Sequence, residues 1–103
     1  MKTIKIPTTE GVKEVTGQVC IFPIGEKKHK FFIHDCLSGN DQCLVDYASG
    51  MIVGKLRAIK ISYHRSYQSL TDRAAAEILL QKVIEKYGPE RTLQTINQAE
   101  RIN

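Results

Sequence analysis

Apolar, β-branched and aromatic residues gather in four short stretches, Val15–Pro23, Phe31–Leu37, Gln42–Ala48 and Met51–Leu56. Between them lie Gly25–His29, Ser38–Asp41 and Ser49–Gly50, which are rich in turn-forming residues. Runs of this length and composition, punctuated in this way, predict strands joined by tight connections, and so an antiparallel meander. Residues 57–68 are less regular. Ile59, Ile61 and Tyr63 alternate with Lys60, Ser62 and His64, as in a continuing strand, but out of parity with Ile52 and Leu56. A bulge or break near Arg57–Ala58, or a new strand starting there, reconciles the two.

From Ser69 the period changes. Ser69-Leu70-Thr71-Asp72 has the form of a helix cap, and Ala76, Leu79, Leu80, Val83, Ile84 and Tyr87 follow at helical spacing. Arg73 and Glu77 are placed to pair on the exposed side. Gly88-Pro89 ends this helix, and a shorter one from Glu90 to about Glu100 is anchored by Leu93 and Ile96. The expected fold class is α+β: an antiparallel sheet of four or five strands over residues 15–66, then one long and one short C-terminal helix over 69–100. At 103 residues the chain makes a single domain, 1–103. Residues 1–14 are expected to be its flexible part unless Ile4 and Ile6 supply an edge strand.

Loop lengths propose a register. A two-residue Ser49–Gly50 turn, a four-residue Ser38–Asp41 turn and a five-residue Gly25–His29 loop put Cys20 opposite His34, Phe22 opposite Phe32, and Cys36 opposite Cys43. One face then holds Cys20, Phe22, Phe32, His34, Cys36, Cys43, Val45, Tyr47, Ile52 and Leu56, as a floor for the long helix. The other collects Ile21, Phe31, Ile33, Leu44, Met51 and Val53, with Asp35, Asp46 and Lys55 among them. A solvated face should alternate to polar residues and this one does not, so these six form a candidate interface. Coverage by the chain itself, a homodimer, or a partner protein would each keep it dry.

Charge sharpens the picture. The net charge of +4 lies wholly within residues 27–65, where seven Lys and Arg face Asp35, Asp41 and Asp46. Lys27, Lys28 and Lys30 sit on a hairpin tip; Lys55, Arg57, Lys60 and Arg65 line the way into the helix, interleaved with Tyr63 and Tyr67. Cations beside aromatic rings suit an acidic macromolecule, nucleic acid or protein. The alternative is a solvated tip and edge, where Lys also discourages aggregation.

Candidate chemistry is sparse. Cys20, His34, Cys36 and Cys43 make a zinc set by residue type. However, Cys20 and Cys43 would lie two strands apart, about 9–10 Å, too far to share one ion. No metal or cofactor is expected, and the three cysteines default to reduced thiols; a Cys36–Cys43 bridge is sterically accessible but out of place in a reducing compartment. His34 and Asp35 are adjacent on one strand and point to opposite faces. Asp35, Asp46 and His64 are the groups a small hydrolase or nuclease would use, yet Lys55 or Arg57 would pair with either carboxylate more simply. No nucleophile-elbow, Walker or dinucleotide-binding pattern is present. No apolar run reaches membrane-spanning length and no signal-like stretch follows Met1–Lys5, so a cytoplasmic protein without a membrane partner is expected. The leading expectation is a non-enzymatic binding module presenting the 27–65 basic surface, as a homodimer. Behind it stand a protein-directed regulator or inhibitor of the mobile-element accessory type, acting through the apolar face, and the small hydrolase.

Overall fold

Strand pairing follows chain order. The structure, a computed structural model, describes residues 1–37, 39–62 and 70–103. Its strands are β1 (Lys2–Thr8), β2 (Gly11–Ile24), β3 (Lys27–Asp35), β4 (Gln42–Asp46) and β5 (Ile52–Lys55), paired antiparallel in the order β1-β2-β3-β4-β5. The helices are α1 (Arg57–Ser62), α2 (Asp72–Tyr87) and α3 (Pro89–Gln98). The α+β class and the meander expected from the sequence are thus present. The first residues form an edge strand, with Ile4 and Ile6 buried.

The long strand β2 serves two layers. Its first half pairs with β1, from Thr8↔Gly11 to Lys2↔Gly17, and its second half pairs with β3, from Gly17↔His34 to Ile24↔Lys27. Gly17 is the position common to both. A Cβ there would lie 1.9 Å from the Ile33 carbonyl oxygen, so only glycine lets the chain turn this corner. The β1–β2 hairpin folds over the neighbouring strands: Ile4, Ile6 and Val15 bury against Phe32, Cys43 and Val45. Gly50 closes the arrangement from the other side, because a Cβ on it would meet the Lys5 carbonyl oxygen at 2.6 Å. The tail fastens it, with the Asn103 side chain accepting from Lys5 N and donating to the carbonyls of Lys5 and Tyr47, each at 2.8 Å.

On the opposite face of the sheet the helices cover Cys20, Phe22, Ile24, Phe31, Ile33, Leu44 and Leu56 with Ala75, Ala76, Leu80 and Ile96. This corrects the expected faces. The β2–β3 connection is the two-residue turn Gly25–Glu26, Gly25 having φ +64°, in place of a five-residue loop. The pairing slides by three residues, an odd number, and Cys20 faces Phe31 instead of His34. Phe31, Ile33 and Leu44, three of the six expected interface residues, lie under the chain's own helices at 0%, 3% and 0% exposure, with Val53 packed beside them. Met51 is half-buried, and only Ile21 stays open, at 49%. The sheet is apolar on both faces, as the pattern indicated, but helices roof one and the β1–β2 hairpin roofs the other. Among the described residues, the face that suggested a homodimer is therefore covered within the chain.

Residues 57–62 form a helical turn and a half where strand continuation was expected. The chain does break at Leu56, whose N–H donates to Gln42 O. The Asp41 carboxylate then accepts from Arg57 N at 2.9 Å and starts α1. Residues 63–69, with Tyr63, His64, Arg65, Tyr67 and Ser69, lie outside the described residues. Thr71 caps α2, its hydroxyl accepting from Ala74 N at 3.1 Å. Gly88, at φ +84°, ends α2 by donating to Ile84 O, and Pro89 opens α3. Arg73 lies with its guanidinium 5.1 Å from the Phe22 ring instead of pairing with Glu77. No described helix is long and apolar enough to cross a membrane.

Candidate binding surface

The tight Gly25–Glu26 turn sets the direction of each hairpin lysine. Lys28 faces Pro23 and Lys30 faces Ile21 across the β2–β3 pair, on the face that also carries Phe32. Lys27 pairs with Ile24 and points to the other side. Beyond β3, Tyr47 lies level with Lys30, its N–H donating to Lys30 O at 3.2 Å. Phe32 holds the Tyr47 ring edge-on, 6.2 Å between centroids. Two ammonium groups approach that ring, Lys30 Nζ at 4.4 Å and Lys2 Nζ at 5.2 Å from its centre. Lys2 arrives through the corner at Gly17, its partner in the β1–β2 pairing.

Exposed Lys2 and Lys30 thus flank the half-buried Tyr47 ring, with exposed Ile21 opposite Lys30 and exposed Lys28 two residues along the same strand face. Among the described residues the ion pairs are Lys13–Glu10, His29–Asp46 and Lys60–Asp72. None of the three patch lysines is neutralised by a carboxylate, and each is exposed. Lys2 and Tyr47 escaped the sequence reading: Lys2 belonged to a charge-balanced segment, and Tyr47 was placed in a buried floor.

Of the other expected cations, Lys55, Arg57 and Lys60 do not join this patch. Lys55 pairs with Cys43 in the ladder, four residues along β4 from Tyr47, about 13 Å away. Arg57 opens α1, and Lys60 is engaged by Asp72 and by Gln42 Oε1. The described cations of 27–65 therefore lie as the two groups that the sequence separates, one at the hairpin tip and one at β5 and α1.

The acid–base candidates fare differently. Asp46 is 1% exposed, and its carboxylate accepts from Ser49 N at 3.1 Å and Ser49 Oγ at 2.7 Å, with His29 Nε2 2.9 Å away. His, Asp and Ser meet here, but the serine hydroxyl is bonded to the carboxylate and not to the imidazole. The hydroxyl also accepts from Met51 N at 3.1 Å, so it is a brace for the β4–β5 turn and not a nucleophile. Asp35 shares a face with Asp46 but pairs with Gln42, whereas Asp46 pairs with Phe31, so the two carboxylates stand about 13 Å apart along the strands. They cannot act on one atom.

Cys36 and Cys43 are joined in a disulfide, with Cα atoms 5.7 Å apart, which replaces the reduced thiols expected at these positions. Cys20 lies on the helix side of the sheet, so the four-residue zinc set does not assemble. Among the described residues no three His, Cys, Asp or Glu groups converge on a metal position. Burial pushes the Cys20 thiol above its ordinary range, partly countered by the charge of Arg73. His34 is 4% exposed and its Nε2 has no hydrogen-bond partner, a cost of about 1–3 kcal/mol if nothing answers it. Two open cavities flank the sheet ends. One, of about 340 Å³ between β5 and the α2–α3 pair, is lined by Ile52, Val83 and Ile96, with Arg91 as its charged residue. The other lies between β1 and β5. Compared with protein-family models, curated proteins and solved structures, the chain matches none.

Proposed function

We propose that this chain is a non-enzymatic binding module that docks single-stranded nucleic acid on the Lys2–Lys28–Lys30–Tyr47 patch. One observation carries the reading: a half-buried tyrosine ring just past the end of β4 with two ammonium groups over it, neither neutralised by a carboxylate among the described residues. Such a ring offers a base a stacking surface once a lysine swings to the adjoining phosphate, and stacking of this kind contributes about 1–3 kcal/mol per base. The charge draws polyanions from a distance and the ring makes short-range contact selective for planar groups. An acidic protein surface would use the charge but gain less from the ring. The apolar-face regulator is not favoured, because Phe31, Ile33 and Leu44 are roofed within the chain.

The test is fluorescence anisotropy with a labelled single-stranded oligonucleotide at low salt. Lys2→Ala, Lys28→Ala and Lys30→Ala combined should weaken binding by about a hundredfold, and Tyr47→Leu alone by about tenfold. Lys55→Ala with Arg57→Ala should change it less than threefold. Equal losses from the two charge sets would overturn the assignment. Binding that ignores Tyr47→Leu but needs the lysines would point to an acidic protein as the partner.

A further inference from the structure

The helices do not seal the sheet along its last strand. Between β5 and the α2–α3 pair lies the cavity of about 340 Å³, at the small end of the range that holds ligands. Met51, the β5 residues Ile52 and Val53, Val83 of α2 and Ile96 of α3 form most of its wall. Ile52 is exposed while the other four are buried or half-buried, so apolar surface is left wet here. The remaining lining residues bear polar groups. Thr92 and Thr95 spend their hydroxyl hydrogens inside α3, donating to Gly88 O at 2.8 Å and to Arg91 O at 3.0 Å. Tyr87 and Arg91 are exposed at the rim, and Lys86 Nζ stands 5.2 Å from the centre of the Tyr87 ring. Neither Arg91 nor Lys86 forms an ion pair among the described residues, their chain neighbours Glu90 and Glu85 included. No carboxylate among the described residues belongs to the lining.

An apolar wall under a cationic rim selects its occupant by charge. A hydrocarbon would fill the wall and leave the cations unused, and an amine would be repelled by them. A further strand fits poorly. β5 has four residues, and Val53 bulges from its ladder, since Ile52 pairs with Val45 and Gly54 with Leu44. A short, bulged edge resists a new strand. We propose that this cavity binds an aliphatic monocarboxylate, its chain between Ile52 of β5 and Val83 and Ile96 of the helices, its carboxylate at Arg91. The guanidinium offers the donors that a carboxylate needs, while the two threonines, their hydrogens spent, offer none. No residue of the cavity belongs to the Lys2–Lys28–Lys30–Tyr47 patch, so the proposal stands whatever that surface binds.

Octanoate, octanol and octylammonium share a chain and differ at the head, which makes them the probes. In an NMR titration of the whole chain, octanoate should shift the methyl signals of Met51, Ile52, Val53, Val83 and Ile96. Octanol should bind about fivefold more weakly, the most that an exposed ion pair usually contributes, and octylammonium at least about tenfold more weakly. Shortening octanoate to hexanoate should weaken binding by about two- to fourfold per methylene. Arg91→Gln, a change at an exposed position, should bring octanoate to within about twofold of octanol, while Lys55→Gln should alter neither. No methyl shift with octanoate, equal affinity for the three heads, indifference to chain length, or a full octanoate preference surviving Arg91→Gln each overturn the proposal. So would the same methyl shifts appearing on raising the protein concentration alone, which would make the cavity an interface between copies of this chain.

Discussion

Replacing Gly17 by alanine adds one methyl group to a 103-residue chain, and the fold leaves no room for it. The new Cβ would lie 1.9 Å from Ile33 O, 2.9 Å from Ile33 C and 3.0 Å from Phe32 Cε2. Two of these three atoms are backbone of β3, so no rotamer change relieves the clash, and strand β3 must retreat by more than about 1 Å to reach ordinary contact. Such a shift breaks the ladder where Gly17 meets both Lys2 and His34. Two lost backbone hydrogen bonds cost about 1 kcal/mol each, and overpacking adds about 1–3 kcal/mol. The sum, about 3–5 kcal/mol, is a large share of the roughly 5–15 kcal/mol that holds a small domain together. At about 4–8 °C per kcal/mol for this size, Tm should fall by about 12–40 °C in a calorimetric scan. Gly54→Ala is the control. Its nearest neighbours are the Leu79 methyls, 2.8 Å and 3.1 Å away, at the end of a side chain that can turn aside. That variant should lose no more than about 1–2 kcal/mol. A Gly17→Ala protein melting within a few degrees of the parent would refute the corner at Gly17, and with it the two-layer sheet.

Three further outcomes follow from the same contacts. Asp46→Ala strands Ser49 N–H and the His29 ring together, and should cost about 3 kcal/mol in urea unfolding; a loss below about 1 kcal/mol would show that the turn does not depend on this carboxylate. Reducing the Cys36–Cys43 bridge, which closes a loop of sequence separation 7, should remove about 2.5 kcal/mol by chain entropy; superimposable melts with and without dithiothreitol would contradict it. Burial raises the Cys20 thiol, so the folded state holds its proton at a pH where the unfolded chain has begun to release it. The stability this contributes is complete below the ordinary thiol range near pH 9 and declines as pH rises through that range toward the raised value. Unfolding free energy measured on the Cys20→Ala variant should fall less steeply with alkali than that of the parent, and parallel curves would exclude the effect.

Much of this architecture is legible in the residues themselves. The ends of α2 are written locally in Thr71 and Gly88-Pro89, and the strands in their β-branched and aromatic runs. The partition of faces is not, because it depends on whether Gly25–His29 is spent as a five-residue loop or as a two-residue turn with lysines in the strand. Hydrophobic pattern cannot decide that when Phe31 and Phe32 are both apolar and both faces are roofed. Gly17 within the Val15–Pro23 run was a local sign of close backbone approach, but the size of the bend comes from β1 and β3 meeting there. Helix α1 is started by Asp41, sixteen positions earlier, so the alternation of Ile59 and Ile61 misleads. The same holds for the binding patch. Lys28 and Lys30 stand out as a charge run, whereas Tyr47 and Lys2 join them only through two separate strand registers.

The salt dependence of single-stranded oligonucleotide binding tests the central claim most directly. Three lysines reaching three phosphates should give a slope of about −2 in log affinity against log salt. The combined Lys2, Lys28 and Lys30 variant should flatten that slope toward zero. No binding at any salt, or a slope that survives loss of the three lysines, would contradict it.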